Sequence, residues 1–161
     1  MYQSHTPKST VIRLGWVMES TPEEHVKRIK NRLEAGRAVL ENLGHITTYD
    51  IGSAVEPNME QTTLAPPLPG DRFYIATDER DPVVLQMIRD AGGVLLSELL
   101  EREDKLAFGW PLMFMDVRSL VEQALLAHSA YFYGHMLSAY SGRIENLRAA
   151  RGADRRTALL D

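Results

Sequence analysis

The chain has 161 residues, 44% of them hydrophobic and 25% charged, which suits one globular domain spanning residues 1–161 around a single core and is too short for two. It has no cysteine, which excludes disulfides, thiolate metal sites and cysteine nucleophiles, and its formal net charge of −4 argues against nucleic acid as a partner. No apolar run approaches the roughly 20 residues of a membrane-spanning helix, so no membrane insertion is expected, and residues 1–9 lack the apolar block of a secretion signal.

Thr10–Met18 (TVIRLGWVM) mixes β-branched and aromatic residues without a helical stripe and reads as a largely buried strand. Thr21-Pro22-Glu23-Glu24 then opens a helix. Thr21 can cap it, Pro22 suits its first position, and the glutamates complement the positive end of the dipole. Val26, Ile29, Leu33, Leu40 and Leu43 follow at helical spacing, and Gly44 supplies the stop. His45–Gly70, with four prolines and little periodicity, reads as a long surface excursion.

Asp71–Glu79 returns to a strong strand, followed by a proline-opened helix over Asp81–Ala91 with Val84, Leu85 and Ile88 inward. Gly92-Gly93 ends it, and Val94–Leu96 reads as a short buried strand. A charged loop and Trp110-Pro111 lead into Asp116–His128, where Val117, Leu120, Val121, Ala124 and Leu125 form an apolar face. Tyr131–Tyr133 is a short strand ending at Gly134, and Ser138–Arg151 is a further helix. This alternation predicts an α/β fold: a Rossmann-like parallel sheet with helices on both faces.

In such sheets ligands bind beyond the carboxyl ends of the strands. Three junctions qualify here: Leu14-Gly15-Trp16, Thr77-Asp78-Glu79, and Gly134–Tyr140. At the last, a phosphate would meet the Ser138 hydroxyl and the amides of Ala139 and Tyr140; the plainer reading is that Ser138 only caps its helix. Glu122, at the edge of the apolar face, is either solvated or an acceptor for a ribose or guanine edge. Arg13, inside a buried-looking strand, needs either a phosphate or a carboxylate partner. Asp78 is either a turn residue or a ligand contact. Arg143, Arg148, Arg151, Arg155 and Arg156 crowd the last segment as a candidate anion site. The five histidines show no metal spacing, and no phosphate-loop, nucleophile-elbow or dinucleotide fingerprint is present.

At Phe73–Glu79 (FYIATDE), Asp116-Val117, Glu122-Gln123, Tyr131–Gly134 (YFYG), Ser138–Ile144 (SAYSGRI) and Arg148–Thr157 (RAARGADRRT), the chain resembles the GDP-fucose protein O-fucosyltransferases, the fungal branch above all. The resemblance covers about Asp71 to the C-terminus. It implies the C-terminal half of a GT-B glycosyltransferase, holding GDP-fucose as donor substrate with no further cofactor and no metal. The family's phosphate-binding turn falls on Ser138-Ala139-Tyr140, its acidic residue and glutamine on Glu122-Gln123, and its strand end on Ala76-Thr77-Asp78. Its diphosphate-contacting arginine falls on Arg13, where Val11 and Trp16 replace polar flanking residues and Ala139 replaces a hydroxyl. Transfer of fucose to a serine or threonine hydroxyl of an acceptor protein is then expected only with an N-terminal domain, and no catalytic residue is assignable. Family members work in the secretory pathway. The rival readings are a non-catalytic binding or structural module and, ranked lower for want of a glycine-rich turn, a methyltransferase.

Overall fold

The computed structural model describes residues 21–45, 48–52, 56–62 and 65–161. Thr10–Met18, with Arg13 and the Leu14–Trp16 junction, lies outside them. Helix α1 (Pro22–Leu43) forms as its signals predict: the Glu24 amide donates to Thr21 Oγ1 at 3.3 Å, Gly44 caps the other end, and Val26, Ile29, Leu40 and Leu43 are buried. Gly36 on α1 lies so close to the Tyr131 ring that a Cβ there would overlap it. Arg28 and Arg32, nearer the start of α1, pair with Asp161 at 4.0 and 2.5 Å.

The described strands make two separate parallel pairs rather than one continuous sheet. Strand β1 (Phe73–Tyr74) pairs with β2 (Gly93–Val94), and β3 (Phe132–Gly134) with β4 (Ala158–Leu160). The strand expected over Asp71–Glu79 is therefore short. Its ladder runs only from Phe73 N donating to Gly92 O (3.1 Å) to Ile75 N donating to Val94 O (3.0 Å), because the chain beyond Val94 turns at Leu95 into helix α4 (Leu96–Leu99) instead of continuing as a strand. Strand β4 was not expected; the 3₁₀ turn at Arg155–Thr157, capped by Asp154, delivers it beside β3. Because the Asp161 amide donates to Gly134 O and Met136 N to Asp161 O, the carboxyl ends of β3 and β4 lie together. Helix α1 thus starts beside those carboxyl ends and passes Tyr131 further along, so it runs antiparallel to β3.

Helix α3 (Pro82–Asp90) is capped by Asp81, whose carboxylate accepts from Val83 N at 2.8 Å; Ile88 is buried, with Val84 and Leu85 partly so. The charged stretch expected as a loop contains helix α5 (Arg102–Phe108), which buries no residue and so leaves no apolar stripe to read. A reciprocal cap holds its start, where the Glu101 amide donates to Asp104 Oδ2 at 2.9 Å. Helix α6 (Met115–His128) forms as expected but is rotated: Gln123 and Ala127 are buried, while Leu120 and Leu125 are 54% and 39% exposed. The cause is the close approach of α7 (Ala139–Ala150), which favours the small and polar Ser119, Gln123 and Ala127 over the leucines.

Arg148 on α7 explains that closeness. Only 2% exposed, it donates to Leu126 O, to Ser129 O at 2.6 Å, and to Thr157 Oγ1 at 2.8 Å, tying the end of α6 to the turn before β4. Burial lowers its pKa to about 10, which leaves it a cation at neutral pH. Within the His45–Gly70 excursion, the described Asp50, Ile51 and Asn58 are anchored to the C-terminal segment. Asp50 N donates to Asp154 Oδ2 (2.8 Å), Arg155 N to Asp50 O (2.9 Å) and Asn58 N to Gly152 O (2.8 Å), around a bridge between Ile51 and Asp154, with helix α2 (Met59–Thr62) following.

Candidate functional site

A groove of about 1210 Å³ separates the two strand pairs, walled by β1 and the residues after it, by β3, and by α1. Thr77 reaches it from the stretch after β1, and Ser138 and Tyr140 from the start of α7, so the structure brings the second and third predicted junctions to one opening. Thr21 and His25 at the start of α1 line the same region, and desolvation, then the nearby His135, lowers the proton affinity of His25.

At the β3–α7 turn most backbone donors are engaged. His135 N donates to Ser141 Oγ (3.1 Å), Met136 N to Asp161 O (3.1 Å), Leu137 N to His135 Nδ1 (3.2 Å) and Ser138 N to His135 O (3.0 Å). Ser138 caps α7, its hydroxyl accepting from Ser141 N at 3.4 Å. The plainer reading of Ser138 is therefore realised, through a long bond. The next two amides, of Ala139 and Tyr140, occupy the first positions of the helix, where no intrahelical acceptor exists. Ser141, which sequence reasoning passed over, holds the turn through its hydroxyl; its place three residues after the cap was the available signal.

Glu122 on α6 lies beside the phenols of Tyr74 on β1 and Tyr140 on α7. Both hydroxyls are buried without a well-aligned hydrogen-bond partner, and burial, followed by the Glu122 carboxylate, pushes both phenols well above their usual range. Both stay neutral and keep a proton to donate. Tyr74 was not foreseen as part of this cluster, because the sequence pattern placed ligand contacts in that stretch only at the strand end, Ala76–Glu79.

Thr77 and Asp78 are exposed, and Thr77 Oγ1 accepts from Glu79 N at 3.1 Å, a local turn bond that leaves the Asp78 side chain outward. The terminal arginines do not form an anion site. Arg148 is internal, Arg156 pairs with Asp154 at 2.7 Å, Arg155 donates to Gly52 O at 3.4 Å, and Arg143 and Arg151 are exposed on separate stretches. Arg13 lies outside the described residues. Among those residues no group of three or more acidic or histidine side chains could hold a metal ion, and no helix is long and apolar enough to cross a membrane. Comparison with protein-family models, with curated proteins and with solved structures finds no match to this chain.

Proposed function

We propose that this chain binds a nucleoside diphosphate sugar at the β3–α7 turn, as the donor-binding, Rossmann-like half of a GT-B protein related to the GDP-fucose protein O-fucosyltransferases. One observation carries the reading: the amides of Ala139 and Tyr140 start a helix at a groove that also takes in Thr77 and neighbours the Glu122, Tyr74 and Tyr140 cluster. A helix start with spare amides favours an oxyanion by about 0.3–1 kcal/mol through the dipole, and by more where the site is partly buried. The neutral phenols offer donors to a sugar or phosphate oxygen, and Glu122 offers an acceptor to a ribose or guanine edge. Arg13 would neutralise the diphosphate. With an N-terminal domain and an acceptor protein, those donors would stabilise the leaving GDP as fucose moves to a hydroxyl.

A second reading, an inert module that keeps the fold, is favoured by the engagement of the His135, Met136, Leu137 and Ser138 amides within the turn. Thermal shift separates the two. A hundredfold excess of GDP over its Kd raises Tm by about 5–10 °C, whereas UDP and S-adenosylmethionine do not. Ser138→Glu, which sets a carboxylate at the phosphate position, removes the shift. Silence from all ligands supports the inert module, and a GDP shift that survives Ser138→Glu places the site elsewhere.

A further inference from the structure

Helix α5, the 3₁₀ turn over Trp110–Met113 and the start of α6 follow one another directly and pack together. Gly109, at φ +64, turns the chain between the first two, and Trp110 meets Phe114 edge to face with ring centroids 5.3 Å apart. The stretch is ordered locally yet contributes nothing to the core, since α5 and the turn contain no buried residue. Leu106, Phe108, Trp110, Met113, Phe114 and Met115 are all exposed, Trp110 by 71% and Met113 by 84%. At the usual size of such residues this band presents roughly 800 Å². The largest apolar patch on a typical monomer is about 300–600 Å², and each partner in a standard interface contributes about 800 Å².

We infer that this band is one half of a homodimer contact, in which it meets the same band of a second copy of the chain about a twofold axis. Three observations favour that occupant. The area matches one partner's share of a stable interface, and a twofold contact covers the band on both copies at once, leaving neither exposed. The composition is that of an interface core, with Trp110 and Phe114 supplying rigid apolar area and Met113 and Met115 adapting to the surface they meet. The rim is self-complementary: Arg102 and Glu103 stand one turn before Leu106 on α5, and Asp116 and Arg118 follow Met115 on α6, so each copy offers both signs to the other. The same rim disfavours a lipid surface, which apolar faces reach with an excess of lysine and arginine. Here Glu101, Glu103, Asp104 and Asp116 outnumber Arg102, Lys105 and Arg118. None of the band lines the groove, so the contact leaves the candidate nucleotide site open.

The inference stands apart from nucleotide binding and is tested without ligand, by sedimentation of the full chain from about 0.1 to 100 μM. Interfaces of this size bind from μM to pM, so the expected result is a monomer–dimer equilibrium with a dissociation constant at or below about 10 μM. Because binding favours the folded chain, Tm rises with protein concentration. Met113→Glu and Leu106→Glu each place two carboxylates in the contact, one from each copy, and raise the dissociation constant at least about 100-fold. Both side chains lie outside the core, so far-UV circular dichroism stays as in the wild type, and either variant serves if the other fails to fold. A wild type that remains monomeric at 100 μM would overturn the inference. So would a dimer that both variants leave intact, since another surface then makes it, and so would growth beyond the dimer, which a twofold contact forbids. A monomer that binds vesicles of mixed phosphatidylcholine and phosphatidylserine, and loses them with Met113→Glu, would overturn it in favour of a membrane surface.

Discussion

Asp154, 2% exposed, is the residue on which the anchoring of the excursion turns. Its oxygens accept from Asp50 N, from Arg156 N at 2.9 Å and from the Arg156 guanidinium. Burial works to raise its pKa, but the hydrogen bonds from Arg156 and Asp50 prevail and hold it below the usual 3.8. A carboxylate with a depressed folded pKa contributes stability that is present above the unfolded value and lost as pH falls through the folded one. Asp154→Asn therefore costs about 2 kcal/mol in urea unfolding at pH 7, and the gap to the wild type narrows progressively once the pH drops below about 4. At the candidate site the corresponding test is Tyr140→Phe. Losing one donor weakens GDP binding about 3- to 10-fold in calorimetry while leaving Tm without ligand nearly unchanged, because that hydroxyl makes no well-aligned bond in the fold.

Among the elements, α1, α3 and α7 were legible because each carries a capping residue and, in α1 and α3, an apolar stripe with a stop signal. Thr21 with Pro22, Asp81 with Pro82, and Ser138 all fall where the sequence places them. Helix α6 was legible as a helix but not in its orientation. Its leucine stripe suggested the buried face, whereas the buried arginine of α7 draws the small-residue face inward, and that preference depends on a contact with a residue some 20 positions away. Helix α5 was missed because its Leu106 and Phe108 are 70% and 45% exposed and form no core face. The pinned excursion was also hidden, since its partners lie at the far end of the chain. There Gly152 adopts φ +73, and a Cβ would run into Glu56 O. Gly152→Ala therefore destabilises by at least about 1–3 kcal/mol, read as a fall in Tm, with the bonded amides of Asp50 and Asn58 the first to exchange.

For the whole molecule, strand and helix alternation predicted parallel pairing, and both described pairs are parallel. The single sheet with helices on both faces that was expected is not found among the described residues, whose strands form two separate pairs. Of the predicted site residues, Thr77, Ser138 and Tyr140 meet at one groove, with Glu122 beside Tyr140. The exposed Asp78 and Ala139 side chains bring no chemistry to it, although the Ala139 amide does. Residue types and their order were enough to bring these groups together. Their commitments within the turn were not, since those depend on the Asp161 carbonyl and the Ser141 hydroxyl. The most direct measurement is an amide-resolved NMR titration with GDP. The Ala139 and Tyr140 signals are expected to move most and saturate together, while those of the already bonded Met136 and Ser138 move less. Signals that stay still throughout the β3–α7 turn at saturating GDP, or that move only at a distant surface, would contradict it.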